Sequence, residues 1–343
     1  MSTSAAVVVF GATGHTGRFV VAELQGRGFT TVVSGRDAGR LEQLAAAWPG
    51  AVVRPATVDD AGSLDRALAG AVAVVNCAGP FALTAGPVVE AALRAGIPYV
   101  DVAAEIEANA AMFANYADAA RRAGVAVVPA MAFYGGLGDL LVTAAMGERT
   151  AADEVHVAYG LSSWQPTAGT RVAGQVSHDR RAGRRVRFAD GALQYHDDAV
   201  VQQEWRFPQP LGRRVVIAEF TMADVVTVPS HLAVPEVRTY MSVEAARDLA
   251  DEDTPAPGPV DALGRSDQTF VVDVLVRAGG VERRATARGQ DIYAVTAPLA
   301  VEAVQRILAG RTRTKGVASA GAMFDAAPFL RSLTPHLSVD LPH

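Results

Sequence analysis

The chain is poor in several residues that support particular chemistry. Cys77 is its only cysteine, so no disulfide forms within the 343 residues and a reducing compartment is expected. Lys315 is its only lysine, and Arg311 stands four residues before it. Short-chain dehydrogenases need a tyrosine and a lysine four residues apart, so that mechanism is excluded. The sequence shows no His/Cys/Asp cluster with metal-ligand spacing, and we expect no metal.

Long hydrophobic runs and a strong excess of one charge are also missing. The most apolar stretch, ALAGAVAVVNCAGPFAL, is short and is interrupted by Asn76, Gly79 and Pro80, so we do not expect it to span a bilayer. The first ten residues lack the basic segment of a secretory signal peptide. The net charge of −5 is no reason to expect nucleic acid or an anionic membrane as a partner. We predict a cytoplasmic protein that acts on a small molecule.

Apolar, strand-like segments alternate with helix-like segments over the first 130 residues. The first strand is AAVVVF (5–10), and the segment that follows it has apolar residues at helical spacing. Alternation of this kind implies crossover connections and a parallel sheet. We predict an α/β fold with a doubly wound Rossmann sheet in this region.

Three glycines lie between the first strand and the first helix, in VVVFGATGHTGRFVV. Gly11, Gly14 and Gly17 form the pattern G-x-x-G-x-x-G. Glycine permits positive φ and a close approach to the backbone, and the N-terminus of the following helix attracts negative charge. At the head of repeated βαβ units the pattern predicts the pyrophosphate site of a dinucleotide cofactor. The alternative is a plain tight turn.

The end of the second strand, VVSGRDAGR, distinguishes the two nicotinamide cofactors. An NAD site usually places an acidic residue about 20 residues after the glycines, where it binds the ribose 2′-hydroxyl. Arg36 stands there instead, and its guanidinium suits a 2′-phosphate, so we predict NADP(H). The alternative is that Arg36 is solvated and that Asp37 binds the ribose rather than capping the next helix. Asp59, after the third strand, either approaches the adenine end or caps a helix.

Four stretches together resemble the saccharopine dehydrogenase-like reductases, namely GATGHTG, SGRDAGRLEQLA, NCAGPFALTAGPVVEAALRAGIPYVDVAAE and VVPAMAFYGGLGDLLV. The resemblance is clear over residues 5 to about 145, looser over 200–245, and returns near the C-terminus. It implies a Rossmann domain followed by an α+β domain with a largely antiparallel sheet. It also implies hydride transfer between a nicotinamide and a C=N or C=C bond. The middle region lacks the longer insertions of saccharopine-forming members, which favours another metabolite as substrate.

The resemblance also implies cofactor-binding residues, position by position. Those of the pyrophosphate loop are Gly11, Thr13, Gly14, Thr16 and Gly17, and we include His15 between them. Ser34 and Arg36 match the ribose-phosphate position. The loop along the nicotinamide comprises Cys77, Ala78, Gly79, Pro80 and Phe81. Asp101 and Glu105 match the family's Y-V-D…E stretch.

The second half of the chain has more strands and fewer long helices. EVHVAYGLSS, RRVVIAEF, VVTVP and EVRTYMSV are predicted strands, TAGTRVAGQVSHDRRAG is a predicted helix, and a hairpin is predicted to close at Gly279-Gly280. We predict three parts: a Rossmann domain (1–130), an α+β domain for substrate and dimerisation (131–295), and C-terminal helices that return to the Rossmann domain (296–343). A homodimer through the second sheet is expected.

Five residues are candidates for proton transfer to or from the substrate: Tyr99, Asp101, Glu105, Tyr134 and His178. The first three follow strand five, at the sheet edge where ligands bind, although Glu105 alternatively caps the next helix. Tyr134 lies beside flexible glycines in MAFYGGLGD and alternatively packs at a domain hinge. His178 binds a substrate carboxylate with Arg171, or is simply an exposed helix residue.

These observations predict an NADP(H)-dependent oxidoreductase that reduces a C=N or activated C=C bond of a small metabolite. Tyr293, where the chain returns to the first domain, is a further candidate residue, with packing as the alternative. A non-catalytic NADP-binding sensor is the main alternative function, because such proteins also begin with GATGxTG. A structural oligomer with a vestigial pocket is another.

Overall fold

Two β-sheets organise residues 5–342, which are the residues that the computed structural model describes. The first part of the chain alternates strands and helices as its sequence predicts. Its elements are β1 (Ala6–Phe10), α1 (His15–Gly26), β2 (Thr30–Ser34), α2 (Ala38–Ala46), β3 (Val52–Val53), α3 (Ala61–Leu68), β4 (Ala73–Asn76), α4 (Phe81–Ala95), β5 (Tyr99–Asp101), α5 (Ile106–Ala123) and β6 (Ala126–Val128).

The remaining elements form the second sheet and the helices around it. They are an irregular turn (Phe133–Leu137), α6 (Gly138–Met146), β7 (Glu154–Leu161), α7 (Ala168–Arg180), β8 (Arg185–Ala189), β9 (Ala192–His196), β10 (Gln202–Arg206), β11 (Arg213–Ala218), α8 (Asp224–Thr227), β12 (Val237–Ser242), α9 (Val243–Ala250), β13 (Thr269–Ala278), β14 (Val281–Gln290), α10 (Thr296–Leu308), β15 (Gly316–Val317), α11 (Ala320–Met323), α12 (Ala326–Ser332) and β16 (Leu337–Asp340).

The seven-stranded sheet is parallel and doubly wound. Its strand order is β15-β6-β5-β4-β1-β2-β3. Strands β2 and β3 are therefore added on one side of β1, and the later strands are added on the other side, beginning with β4. The register pairs Phe10 with both Ser34 and Asn76, and Asn76 with Asp101. The last residues of β2, β1, β4 and β5 therefore form one row at the carboxyl edge. Ligands of doubly wound sheets bind at this edge, beside the point where the two directions of strand addition diverge.

The nine-stranded sheet is mixed and largely antiparallel, as predicted. Its main path is β10-β11-β12-β7-β13-β14-β16, with β8 attached to β12 and β9 attached to β8. Among these pairs β7 and β12 run parallel, and the others run antiparallel. The β13–β14 hairpin turns at Gly279 and Gly280, which confirms the predicted hairpin.

One apolar core joins the two sheets. It includes Val9 of the first sheet, Val157 of the second and Val301 of α10, all without exposed surface. The C-terminal segment contributes to both sheets, because β15 pairs with β6 and β16 pairs with β14. The predicted division into three parts at residues 130 and 295 stays a proposal.

Two local predictions differ from the structure. VVTVP was predicted as a strand, but Asp224–Thr227 forms a short helical turn whose residues are fully or almost fully buried. Its contacts with the surrounding elements outweigh the strand preference of valine and threonine. The hairpin of β8 and β9 was not predicted, although Asp190-Gly191 between them, both at positive φ, is a typical hairpin turn pair.

Candidate active site

The glycine turn after β1 has no space for side chains. Gly11 adopts φ +82°, and a Cβ built on it would lie 2.7 Å from the backbone nitrogen of Ala78. A Cβ on Gly17 would lie 2.3 Å from the carbonyl oxygen of Gly11. Gly11 therefore allows the tight turn against the β4–α4 loop, and Gly17 allows α1 to pack closely on that turn.

The N-terminus of α1 opens toward this turn. Its N-cap residue, Gly14, supplies no side chain to cap the helix, so the first backbone N–H groups remain available to an anion. The turn is held in place because the N–H groups of Gly11 and Ala12 donate to the carbonyl oxygen of Ser34, at 2.9 and 3.2 Å. Thr13 and Thr16 are partly exposed within the same turn. These features fit the pyrophosphate of a dinucleotide.

The residues after β2 leave Arg36 available for a cofactor phosphate. Asp37 caps α2, and its carboxylate accepts the backbone N–H of Arg40 at 3.0 Å. Arg36 is exposed. Ser34 has no exposed surface, and its hydroxyl has no hydrogen-bond partner within the described residues. This arrangement disfavours Asp37 as the ribose ligand and fits a 2′-phosphate beside Arg36.

Asp59 is exposed and does not cap α3, because Asp60 does so by accepting the N–H of Ser63 at 3.1 Å. The alternative that Asp59 caps this helix is therefore wrong, because the capping residue is its neighbour Asp60. The role of Asp59 at the adenine end stays a prediction.

Buried polar side chains shape the loop between β4 and α4. The Asn76 side-chain oxygen accepts the N–H of Ala78 at 3.0 Å, and the Thr84 hydroxyl donates to the Ala78 carbonyl. On the outer side of the loop, a Cβ built on Gly79 would lie 4.0 Å from Cβ of Ala173 on α7. Helix α7 of the second half therefore lies over the loop predicted to line the nicotinamide.

Glu105 caps a helix, but a different one from that expected. It precedes α5 without capping it, and its two carboxylate oxygens accept the N–H groups of Phe81 and Ala82 at 2.7 and 2.9 Å. Those groups belong to the first turn of α4. Burial raises the pKa of Glu105, and the two N–H groups oppose that shift. Its predicted catalytic role stays a prediction, and its contacts are those of a helix cap.

Tyr99 and Asp101 bond each other beneath the same edge. The Tyr99 hydroxyl donates to one Asp101 oxygen at 2.9 Å, and the other oxygen accepts the N–H groups of Ala103 and Ala130 at 3.0 and 2.8 Å. Burial raises the pKa of Asp101 to about 6, although those hydrogen bonds oppose the shift. The pair ties the loop after β5 to the loop after β6. No contact here tests their predicted catalytic role.

Cys77 lies beside this network, and its thiol is not activated. Burial raises its pKa, and the negative charge of Asp101 raises it further. A thiol in such surroundings stays protonated and is a poor nucleophile. Cys77 is therefore suited to line the site rather than to react.

An aromatic cluster lies where the second half of the chain meets the glycine turn. His15, Tyr293, Trp164 and Tyr134 form this junction cluster. The His15 ring contacts that of Tyr293 edge-on at 5.2 Å between centroids, and the Trp164 ring lies 5.2 Å from that of Tyr134. The Trp164 side chain is close enough to Tyr293 to lower the pKa of that hydroxyl. Its indole N–H nevertheless makes no hydrogen bond of normal distance and angle within the described residues. The cluster thus connects the glycine turn to Tyr134.

Three polar atoms of the junction cluster have no hydrogen-bond partner within residues 5–342. They are Nε2 of His15, the hydroxyl of Tyr134 and Nε1 of Trp164. Buried polar atoms are normally paired, so unpaired ones that lie together are typical of a ligand site. Tyr134 is 8% exposed, and burial raises its pKa well above the usual range, so its hydroxyl is protonated and able to donate.

His178 and Arg171 do not join this cluster. His178 is exposed near the end of α7, and a Cβ built on Gly183 would lie 3.4 Å from its ring. Arg171 donates to the carbonyl oxygens of Asp251 and Thr254 at 2.9 and 3.0 Å. These contacts fit the alternative of an exposed helix histidine and leave the guanidinium of Arg171 occupied. The catalytic role predicted for His178 stays a prediction without a supporting contact.

Sequence reasoning did not single out Trp164, Tyr159 or Asp224. Trp164 follows β7 after a few residues, and Asp224 directly precedes VVTVP, the segment predicted as a strand. A weak signal for Trp164 was available, since buried tryptophan normally needs a partner for its N–H. Nothing in the local pattern marked the other two.

One group of side chains in residues 5–342 has the spacing of metal ligands. Atoms of His196, Asp198 and Glu219 lie within 4.8 Å of one another. Arg187 pairs with both carboxylates, at 2.9 and 3.3 Å, so the two acids already have a cationic partner. The sequence spacing could not reveal this group, because Glu219 is more than twenty residues from His196.

The sheet order, the glycine turn and the row of strand ends define a Rossmann-type dinucleotide-binding protein. Residues 7–130 match the family model of the saccharopine dehydrogenase NADP binding domain. The chain is also similar to a curated probable mitochondrial saccharopine dehydrogenase-like oxidoreductase of Arabidopsis thaliana, with 34% identity over 143 residues. A saccharopine dehydrogenase-like oxidoreductase of Mus musculus is 30% identical over 145 residues.

These alignments cover 37% of this chain and about a third of each relative, 31% and 34% respectively. Over nearly the whole length, the fold matches apo saccharopine dehydrogenase (L-Glu forming) from Saccharomyces cerevisiae. The TM-score is 0.65 at 11% identity, with 99% of this chain and 100% of that one covered. Residues 7–130 are thus similar to the NADP binding domain of saccharopine dehydrogenases, and over the rest of the chain the likeness is one of fold. The family match supports NADP(H) as the cofactor.

The prediction of a cytoplasmic protein is contradicted. The plant relative is named as a probable mitochondrial protein, and neither the lone cysteine nor the first ten residues distinguishes these compartments. Within residues 5–342 no helix combines the length and apolar character needed to cross a membrane.

Proposed function

We propose that this chain is an NADP(H)-dependent oxidoreductase that reduces a C=N or activated C=C bond of a small metabolite. The observation that carries the proposal is the set of three unpaired polar atoms in the junction cluster, next to a glycine turn built for a pyrophosphate. NADPH, when bound, supplies the hydride. The side chains of this protein must then bind the substrate and deliver a proton.

Cofactor-holding roles follow from the contacts above. The turn of Gly11, Gly14 and Gly17 receives the pyrophosphate on the N-terminus of α1, and Arg36 receives the 2′-phosphate. The Asn76 and Thr84 side chains hold the loop of Ala78 and Gly79 in the shape that lines the nicotinamide side. The cap by Glu105 fixes the helix that follows this loop.

Tyr134 is the proposed proton donor. Its hydroxyl is protonated, buried and unpaired, and it lies in the cluster that contacts the glycine turn. Tyr293 fixes the helix above the site, because its hydroxyl accepts the N–H of Thr167 at 3.2 Å and bonds the Thr170 hydroxyl at 2.9 Å. Thr167 caps α7, and because this helix lies over the loop at Gly79, its proposed role is to shield the nicotinamide side from water.

The proposal also includes a homodimer through the nine-stranded sheet. Strands β9 and β11 of that sheet leave Tyr195 and Val215 more than 40% exposed, as interface residues would be. Light scattering coupled to size-exclusion chromatography tests it, and a mass of about 36 kDa per particle contradicts it.

Cofactor titration tests the function first. Wild type, Arg36→Asp and the exposed control Arg122→Asp are titrated with NADPH and with NADH, and binding is followed by nicotinamide fluorescence. We expect the wild type to prefer NADPH, Arg36→Asp to lose that preference by about 30-fold or more, and the control to match the wild type. Equal binding of both cofactors in all three proteins contradicts the role of Arg36.

Turnover distinguishes the reductase from the non-catalytic sensor. NADPH oxidation is measured against a panel of cyclic imines and conjugated enones, and Tyr134→Phe is compared with the wild type. If the protein is a reductase, we expect turnover by the wild type, and we expect it to fall by about 100-fold or more in Tyr134→Phe while NADPH affinity is retained. Tight NADPH binding without turnover of any panel member supports the sensor.

A further inference from the structure

Beneath Tyr134 the protein buries a carboxyl group that has no cationic partner. Asp224 has no exposed surface, and no arginine, lysine or histidine within the described residues forms an ion pair with it. Its two oxygens accept the hydroxyl of Tyr159, at 3.0 and 2.9 Å, and Tyr159 is also fully buried. Burying a carboxylate without a cation is costly, so its retention requires an explanation.

The glycines after Tyr134 make room for this carboxyl group. A Cβ built on Gly138 would lie 2.0 Å from an Asp224 oxygen and 2.8 Å from the Tyr159 hydroxyl. Gly135 adopts φ +93°, and a Cβ there would lie 2.9 Å from Cβ of Ala223. The FYGGLG segment thus fits closely over the Asp224–Tyr159 pair, whereas its sequence had suggested mere flexibility.

The pair lies in direct contact with the proposed proton donor. The rings of Tyr134 and Tyr159 are 5.1 Å apart between centroids, at 61° to each other. The negative charge of Asp224 is one of the causes that raise the pKa of Tyr134, after burial and Tyr293. A change in the charge of Asp224 therefore reaches the hydroxyl of Tyr134.

Asp224 changes charge near neutral pH. Burial raises its pKa to about 7; the Tyr159 hydrogen bond opposes that shift, and the charge of Asp139 adds to it. Helices α5 and α6, strands β8 and β12 and the irregular turn (Phe133–Leu137) all pack against α8. Of the ionisable groups that they and β7 carry, Tyr159 and Asp139 are the ones that shift the pKa of Asp224. Asp139 itself is paired with His231 at 2.7 Å.

We propose that Asp224 is a positioning residue for the reduction, whose charge decides how readily Tyr134 gives up its proton. The inference rests on the proposed function of Tyr134. In the reduction, the hydride adds to one atom of the double bond, Tyr134 gives its proton to the other, and the phenolate regains a proton from water. A neutral Asp224 makes Tyr134 the stronger acid. An ionised Asp224 repels the developing phenolate and slows the step.

The pH dependence of reduction tests this proposal. In the wild type we expect kcat/KM to fall on the order of tenfold between pH 6 and pH 9, as Asp224 ionises. Asp224→Asn carries no charge at any pH, so its rate stays level and exceeds that of the wild type at pH 9. Tyr159→Phe removes the hydrogen bond that favours the ionised form, so the fall moves to higher pH.

Asp273→Asn is the matched control. Asp273 is equally buried and accepts an aromatic N–H from Trp205 at 2.8 Å, but it pairs with Arg284 and lies outside the cluster. This variant should keep the wild-type pH profile. If Asp224→Asn and Tyr159→Phe turn over substrate with the same pH profile as the wild type, the role of Asp224 is refuted. The proposed reductase function is not affected by that result.

A second measurement needs no substrate and covers variants without turnover. The free energy of unfolding of wild type and Asp224→Asn is measured between pH 5 and pH 9. If Asp224 ionises near pH 7 in the fold, the wild type loses stability relative to Asp224→Asn as pH rises from 5 to about 7, and the difference then stays level up to pH 9. Parallel curves contradict the proposal. Failure of the wild type to bind NADPH would contradict the proposed function separately.

Discussion

Neutralising Glu105 separates two roles for this residue, because a helix cap and a catalytic base respond differently to Glu105→Gln. The carboxylate is 6% exposed and accepts two backbone N–H groups at 2.7 and 2.9 Å. Glutamine keeps the shape and one acceptor oxygen but turns an amide group toward the other N–H. The substitution removes one hydrogen bond outright and the negative charge from the other.

The expected cost follows from these contacts. Hydrogen bonds to a charged group contribute about 1.5–3 kcal/mol each, and a negative charge at a helix N-terminus adds up to about 1 kcal/mol. Glutamine also removes the cost of burying the charge, which is visible in the raised pKa of Glu105. We expect a net loss of about 2 kcal/mol in the free energy of unfolding, with turnover of the folded enzyme within about threefold of the wild type.

Urea denaturation followed by circular dichroism and a turnover assay on the same samples provide the measurement. Glu107→Gln is the matched control, since it removes the same charge two residues away and its oxygens accept no hydrogen bond in the described part of the chain. Glu107 lies in the first turn of α5 and pairs with Arg181 at 3.8 Å, so the control should lose less than about 1 kcal/mol. If Glu105→Gln unfolds like the wild type but turns over about 100-fold more slowly, the capping argument is refuted and Glu105 is a catalytic carboxylate.

Two further predictions concern other parts of the molecule. Gly17→Ala places a Cβ 2.3 Å from the Gly11 carbonyl oxygen, so NADPH affinity should fall at least tenfold, whereas Gly26→Ala, with open space around it, should bind normally in the same fluorescence titration. Burial disfavours charged His231, but its contact with Asp139 outweighs burial and raises its pKa. This pair therefore stabilises the fold below about pH 6.5 and loses that effect as pH rises through the raised pKa. His231→Gln should lack this slope in urea denaturation at pH 6 to 9, and an unchanged slope contradicts the pairing.

The sequence by itself determined the features that depend on neighbours along the chain. The glycine pattern predicts a turn because only glycine tolerates φ +82° at position 11 and the close contact at position 17. Asp37 was recognised as a helix cap because its partner, the N–H of Arg40, is three residues away. The alternation of strands and helices predicted the parallel sheet, because crossover connections allow few other arrangements.

Only the tertiary structure decided which side chains meet across long separations. Glu105 caps α4 rather than α5, across 24 residues, and Tyr159 bonds Asp224 across 65 residues. His15 and Tyr293 come into contact because the C-terminal part of the chain returns to the first sheet. Short segments hold no information on such partners, since the free energy that selects them comes from burial and hydrogen bonding in the complete fold.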